Sequence, residues 1–176
     1  MPAGFGYAFL YLCFSQPRIH SLLDGIFLAT LGETLRIWAS GYIVKGRELA
    51  ISGPYQWTRN PLYLGSFFIG LGFSLTSASA WLMLLFLTLF CTIYIPVMWE
   101  EEKELTGAFG DRYRLYSSQV PLFFPFPGHR KRGTDSLDSD TPHNFQWRRV
   151  LLNREHKALI GVLIIVALTM IKLSWV

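Results

Sequence analysis

The sequence SGPYQWTRNPLYLGS, from Ser52 to Ser66, joins a polar segment to an apolar one. Two prolines, two glycines, an arginine and three aromatic residues fall within these fifteen positions. Gly53-Pro54 and Asn60-Pro61 interrupt regular structure, because proline fixes φ and disfavours the helical conformation in the preceding residue. Pro61 also suits the first turn of a helix, where its missing N–H would have no partner. The stretch therefore predicts a tight, aromatic turn that leads directly into a helix.

The composition of the whole chain is that of a membrane protein. Hydrophobic residues make up 51% of the 176 residues and charged residues 16%, whereas soluble domains average about 25% charged residues. The apolar residues form blocks, and a membrane span needs roughly 20 mostly apolar residues. The sequence therefore predicts an all-α integral membrane protein with about five transmembrane helices. The expected spans are residues 3–15, 21–44, 61–76 and 80–99, with the last one inside residues 148–176.

The spans at 61–76 and 80–99 are separated by only a few residues, which predicts an antiparallel helical hairpin. A cytoplasmic amphipathic helix over residues 100–117 is expected to continue from the hairpin. The evidence for this helix is a set of apolar residues spaced by four, four and three positions: Leu105, Phe109, Tyr113 and Tyr116. The proline-rich run at 120–127 cannot be helical, and we expect it to pack back on the protein or enter the membrane interface.

Charge gives the expected orientation and the remaining organisation. Residues 45–59 contain three Lys or Arg and residues 103–157 contain ten, so the positive-inside rule predicts that both segments are cytoplasmic. Residues 128–147 are polar and predict a flexible linker between a core at 1–127 and a basic segment with a final span at 148–176. The inner membrane face accounts for the net charge of +4, so membrane lipids are expected partners and nucleic acid is not.

Two motifs flank the predicted hairpin. The first is Gly53-Pro54-Tyr55 with TRNPLYLG at 58–65, and the second is Glu101-Glu102-x-x-Leu105 followed by the aromatic positions above and Val120-Pro121. Together they resemble the isoprenylcysteine carboxyl methyltransferase family, which is related to the phospholipid N-methyltransferases. The similarity runs from about Glu33 to Pro125, with the motifs in the family's order and separation.

This resemblance implies S-adenosylmethionine as the cofactor, bound by the hairpin ends and the segment after them. The positions that it assigns to the cofactor are Arg47, Glu48, Leu49, Ala50, Tyr55, Asn60, Pro61, Leu62, Tyr63 and Glu101. The cofactor's carboxylate needs a donor, its ammonium or ribose an acceptor, and its positive charge favours aromatic faces. Arg59 or Arg47 could be the donor and Glu101 the acceptor. Tyr55, Trp57 and Tyr63 are alternatives for the aromatic face.

The sequence departs from the family pattern at three positions. Where the family usually has a histidine, this chain has Asn60, which cannot titrate. Where the family has an arginine that faces the substrate, four residues before Glu101, this chain has Val97. The family's motif ends in Arg-Val-Pro, and this chain has Gln119 in place of that arginine. Arg36, three residues after Glu33 on one face of the second span, could replace a lost arginine. A structural ion pair is the alternative for Arg36.

We therefore expect a methyltransferase in which Arg59, Asn60 and Arg36 contribute to catalysis, with the cofactor site on the cytoplasmic side of a bacterial inner membrane or an endomembrane. The leading reaction is O-methylation of a carboxylate on an isoprenylcysteine-like lipid or prenylated peptide. N-methylation of a phospholipid amine would need a base that the sequence does not identify. A non-catalytic scaffold or sensor is the third alternative. No metal site is expected, since the four histidines lack ligand spacing, and the sequence does not predict an oligomeric state.

Overall fold

The structure is a computed structural model that describes residues 2–44, 48–125, 144–153 and 155–174. Its helices are α1 (Pro2–Phe14), α2 (Ile19–Ser40), α3 (Pro61–Thr76), α4 (Ala80–Phe109), α5 (Asp111–Gln119), α6 (Trp147–Leu152) and α7 (Glu155–Leu173), with a 3₁₀ turn at Gly53–Gln56. Within these ranges there is no β-strand, so the described chain is all-helical as predicted. Arg47 and most of the predicted linker, residues 128–143, lie outside the described residues.

Among the described helices, two are long and apolar enough to cross a membrane, α4 and α7. The helix α3 is also apolar but has only 16 residues. These helices support a membrane protein, while five spans and a cytoplasmic side for the polar segments stay predictions. Helix α2 ends at Ser40, four residues before the predicted end at residue 44, and a turn follows at Gly41 and Tyr42.

The predicted single helix at 100–117 is wrong in its continuity. Helix α4 continues to Phe109, the helical conformation is interrupted at Gly110, and α5 begins at Asp111. Gly110 has φ +54°, a left-handed conformation that glycine adopts without steric cost and that ends a helix. The apolar spacing nevertheless identified the correct face, because Tyr113 and Tyr116 are buried with Leu105 and Phe109 packed beside them.

The chain forms two compact units, and the first contains residues 1–33, 65–95 and 156–176. Its α2 and α3 approach closely through small residues. A Cβ on Gly72 would lie 2.5 Å from the carbonyl oxygen of Gly25, and one on Gly32 would lie 2.5 Å from that of Gly65. Gly70 likewise faces the ring of Phe86. The glycines at 70 and 72 thus serve close helix packing, which is common between membrane helices.

Hydroxyl groups and one lysine provide the polar contacts of this first unit. The hydroxyl of Tyr11 lies 2.6 Å from Thr76 Oγ1 and 3.0 Å from Thr169 Oγ1. Lys172 Nζ donates to the carbonyl oxygen of Leu12 at 2.7 Å, which satisfies an acceptor at the C-terminal end of α1. These contacts join α1, α3 and α7 inside the unit.

The second unit contains residues 34–64 and 96–155. Its core is a cluster of five buried side chains: Leu49, Ile51, Tyr113, Tyr116 and Val120. The segment at 49–51, which has no regular secondary structure, and helix α5 are therefore held together by apolar packing. All of the predicted site residues that the structure describes belong to this unit.

Candidate functional site

The turn at 53–56 is built on the conformation of Gly53. Its φ is +63°, and a Cβ at this position would lie 2.6 Å from the ring of Tyr42. Pro54 follows at the second position of the 3₁₀ turn and is buried together with Tyr55. Only glycine combines this left-handed φ with the close aromatic neighbour. The predicted tight turn is thus confirmed. It sets the direction of the chain that follows it, at Thr58, Arg59 and Asn60.

Residues 58–60 are hydrogen-bonded to the beginning of the proline-rich run, at residues 121–122. The backbone N–H of Arg59 donates to Pro121 O at 3.0 Å, and Asn60 Nδ2 donates to Leu122 O at 2.9 Å. Thr58 is buried, and its Oγ1 accepts from the Asn60 backbone N–H at 3.2 Å. The run at 121–122 therefore packs back on the protein, as predicted. Asn60 also accepts the backbone N–H of Leu64, so it starts α3 immediately before Pro61.

Two polar contacts bring the start of α3 to the end of α4. The guanidinium of Arg59 forms an ion pair with the carboxylate of Glu102, and the hydroxyl of Tyr63 donates to Glu101 Oε1 at 2.9 Å. The sequence placed Arg59, Asn60, Tyr63 and the glutamates around one location because a hairpin brings those helix ends together. Within the second unit the structure does bring Arg59 and Tyr63 to the two glutamates.

Arg59 is the most enclosed charge in this cluster. Its side chain is 14% exposed, against 32% for Glu102. Its Nε is buried and has no hydrogen-bond partner among the described residues. Burial raises the pKa of Tyr113, while a hydrogen bond with Arg59 opposes that rise. The cationic side chain is thus held between a carboxylate and a phenol, with one donor left for another acceptor.

Several residues that the resemblance assigned to the cofactor are packed in the protein instead of facing outward. Leu49, Tyr55 and Pro61 are buried, and the hydroxyl of Tyr116 donates to the carbonyl oxygen of Tyr55 at 2.7 Å. Burial raises the pKa of Tyr55 well above its usual value of about 10. Glu48 and Glu101 are exposed, and Ala50, Leu62 and Tyr63 are partly so.

Arg36 has a partner that the sequence reasoning missed. Its Nη2 and Nε donate to Oε2 of Glu155 at 2.7 and 3.1 Å. The side chain of Glu155 is 8% exposed and that of Arg36 is 20% exposed. The only sequence signal for Glu155 is an acid at the start of the last apolar block, 119 positions away. The structure therefore places Arg36 of α2 in a partly buried ion pair with the first residue of α7, and both residues belong to the second unit.

Comparison with known proteins assigns the family. The sequence pattern of the phospholipid methyltransferase family matches residues 18–112, which is more than half of the chain. The chain belongs to this family. The match includes the turn, the start of α3 and the acidic end of α4, and it confirms the group of integral-membrane methyltransferases inferred from the motifs.

Three curated relatives are similar to part of the chain. Over 103 residues the chain is 33% identical to the cobalt-zinc-cadmium resistance protein CzcN of Cupriavidus metallidurans, covering 57% of this chain and 46% of that protein. The nickel-cobalt-cadmium resistance protein NccN of Alcaligenes xylosoxydans xylosoxydans is 32% identical with the same coverage. Methanethiol S-methyltransferase of Crocosphaera subtropica is 39% identical over 77 residues, which cover 43% of this chain and 29% of that protein.

The matched segment thus covers less than half the length of each of these relatives. No solved structure matches the chain. Although two relatives are named for metal resistance, the part of this chain that the structure describes contains no group of three or more His, Cys, Asp or Glu placed to hold a metal ion.

Proposed function

We propose that this phospholipid methyltransferase family member transfers a methyl group from S-adenosylmethionine to a lipophilic acceptor at the cytoplasmic membrane interface. The observation that supports this most directly is the cluster of Arg59, Tyr63, Glu101 and Glu102. The cluster combines one enclosed cation, two carboxylates and one aromatic hydroxyl, and it lies within the segment that matches the family.

The donor set fits the zwitterionic part of S-adenosylmethionine. The buried Nε of Arg59 has no partner among the described residues, and a carboxylate would satisfy it. Glu101 is exposed, so its carboxylate can accept from an ammonium or a ribose hydroxyl while Tyr63 holds it in place. When bound, the cofactor supplies a methyl group on a cationic sulfonium. The two adjacent glutamates favour positive charge at this location.

The contribution of the chain in this proposal is the alignment of the cofactor with the acceptor. The polar residues that the structure brings together here include no histidine, and Asn60 donates its amide to Leu122 O. An acceptor must therefore arrive ionised or lose its proton readily, as a carboxylate or a thiol does. An amine would arrive as an ammonium, so N-methylation of a phospholipid remains the less supported alternative.

Two acceptor classes follow from this. The motif resemblance favours the carboxylate of an isoprenylcysteine-like lipid or a prenylated peptide. An apolar thiol is the second candidate, because Arg36 already binds a carboxylate of the chain itself, and the remaining donor of Arg59 is assigned above to the carboxylate of the cofactor. A thiol needs no such cation. The relative that methylates methanethiol adds support for this class.

The first experiment is calorimetric binding of S-adenosylhomocysteine to the full chain in a neutral detergent. We expect micromolar binding that weakens at least about tenfold in Glu101→Ala, since a hydrogen bond to a charged group contributes about 1.5–3 kcal/mol. Glu104→Ala is the matched control, because Glu104 is exposed on the same helix. Equal weakening in both variants would contradict the site assignment.

Acceptors are then compared with labelled S-adenosylmethionine. A farnesylated cysteine with a free carboxylate, a long-chain thiol and phosphatidylethanolamine separate O-, S- and N-methylation. A folded protein that binds no S-adenosylhomocysteine would instead favour the scaffold or sensor alternative.

A further inference from the structure

The segment from Asn144 to Asn153 is docked on the C-terminal end of α2. The backbone N–H of Gln146 donates to Gly41 O at 3.1 Å, and Asn153 Nδ2 donates to Ser40 O at 2.9 Å. The ring of Phe145 packs on that of Tyr42, with the centroids 6.2 Å apart. These contacts fix the segment at both of its ends.

A cavity of about 540 Å³ lies between this segment and the residues that follow α2. Ile43, Val44 and Leu152 form its apolar part, and Arg148 and Arg149 add two positive charges. None of the residues that line it belongs to the cluster around Arg59 and Glu101. The cavity is therefore a separate amphipathic site within the second unit.

The two arginines differ from Arg36 and Arg59 in their partners. Arg36 and Arg59 bind carboxylates of the chain. Across the described ranges, by contrast, neither Arg148 nor Arg149 forms an ion pair with an acidic side chain. Arg149 Nη1 makes a long hydrogen bond of 3.4 Å to Asn144 O, which leaves most of its donors available. Adjacent guanidinium groups are well suited to the oxygens of a phosphate.

The surroundings of the cavity indicate where such a phosphate would come from. On α6, Trp147 is 68% exposed, Leu151 64% and Leu152 69%. The candidate span α7 begins three residues after α6 ends. A short helix with exposed apolar side chains and two arginines, immediately before a membrane span, is typical of the headgroup region of a bilayer.

We propose that this cavity binds the phosphate headgroup of an anionic membrane lipid. Arg148 and Arg149 bind the phosphate oxygens, while Ile43, Val44 and Leu152 contact the adjoining glycerol and the first part of the acyl chains. The lipid anchors the segment between α2 and α7 at the membrane surface. This proposal does not depend on methyl transfer, because the cavity and the cluster of Arg59 share no residue.

The test is native mass spectrometry of the full chain released from a neutral detergent and titrated with dioctanoyl phosphatidylglycerol. The same titration with dioctanoyl phosphatidylcholine measures the preference for negative charge. We expect Arg148→Gln combined with Arg149→Gln to weaken phosphatidylglycerol binding about 30-fold, because each basic residue near anionic lipid contributes roughly a factor of five. The matched control, Arg112→Gln with Arg114→Gln, removes two arginines from the exposed face of α5 and should bind as the unmodified chain does.

Four outcomes overturn the proposal. They are equal binding of both lipids by the unmodified chain, equal weakening by the two double variants, unchanged binding after loss of Arg148 and Arg149, and equally tight binding of free glycerol 3-phosphate. The last result would assign the cavity to a soluble phosphate compound. Replacement of both arginines by lysine should restore most of the binding, and loss of folded protein in that variant would show that the arginines serve the fold.

Discussion

The two units of this protein are stabilised by different chemistry. In the first unit, helices approach through Gly25 and Gly72, and the polar contacts are hydroxyl groups such as those of Tyr11 and Thr76. In the second unit, arginines and glutamates form ion pairs, and tyrosines cover a turn. Neutral small residues allow close packing where a bilayer offers no solvation for charge.

Burying the charges of the second unit costs free energy that the packing of neutral side chains does not. Partly buried ion pairs are rarely stronger than apolar packing of similar volume, since both ions lose their hydration. Their concentration in one unit is therefore better explained by chemistry than by stability. The comparison attributes folding to the small residues of the first unit, and our proposal attributes ligand binding to the charges of the second.

The largest effect should come from enlarging a close contact in the first unit. In Gly72→Leu, the new Cβ would lie 2.5 Å from Gly25 O and 2.8 Å from the backbone nitrogen of Ala29. Because both neighbours are backbone atoms, α2 and α3 must separate, and we expect a loss of about 3 kcal/mol or more. Size-exclusion chromatography in detergent and the thermal unfolding midpoint measure this loss.

Gly161→Leu is the control for that substitution, because a Cβ at Gly161 meets nothing within 4 Å. It should leave the elution profile and the unfolding midpoint nearly unchanged. If the two variants behave alike, helix packing through small residues is not what stabilises the first unit.

An intermediate effect is expected from the ion pair of the second unit. Glu155→Gln leaves the guanidinium of Arg36 without its carboxylate in a mostly buried position, which should cost about 2 kcal/mol after allowance for the 20% exposure of Arg36. Glu100→Gln removes the same charge from the pair with Lys103, whose side chains are 65% and 74% exposed, and should cost less than about 0.5 kcal/mol. Thermal unfolding in a neutral detergent compares them.

The double variant Arg36→Gln with Glu155→Gln separates pairing from burial. It should lose less stability than the sum of the single changes, because no unpaired charge remains. Strictly additive losses would show that the two side chains do not interact.

The local features of the fold were predictable because they depend on neighbouring residues. Pro61 predicted the start of α3, and the spacing of Leu105, Phe109, Tyr113 and Tyr116 predicted the buried face. Gly110 shows where this reasoning fails. A glycine within a periodic pattern can continue a helix or end it, and only its φ decides which occurs.

The distant features of the site were only partly predictable. A hairpin fixes which helix ends meet, so it predicted Arg59 and Tyr63 near Glu101 and Glu102 in the C-terminal part of α4. Nothing in the local pattern of Arg36 indicates Glu155, because a pair separated by 119 positions depends on the path of the intervening chain. For the same reason, burial of Tyr55 and the lack of an acidic partner for Arg148 among the described residues required the structure.

The smallest effect should come from Tyr116, which donates a hydrogen bond to the turn at 53–56. The pH dependence of the free energy of unfolding distinguishes this contact from the ion pairs. Tyr116→Phe removes the hydrogen bond to Tyr55 O and leaves a buried carbonyl without its donor, which should cost about 1 kcal/mol at neutral pH. Burial also raises the pKa of Tyr116 far above its usual value of about 10. This stabilisation is fully present below pH 10, because the hydroxyl then keeps its proton in both the folded and unfolded states.

Above about pH 10 the unfolded chain loses that proton while folded Tyr116 keeps it, so the free energy of unfolding should fall by up to about 1.4 kcal/mol per pH unit. Unfolding midpoints between pH 8 and 11 should therefore decline less steeply in Tyr116→Phe than in the unmodified chain. Glu155→Gln should leave the slope unchanged, since the substitution leaves the hydroxyl of Tyr116 and its hydrogen bond to Tyr55 O intact. A parallel decline in all three proteins would mean that Tyr116 is not the group that titrates, and that the turn is held by apolar contact alone.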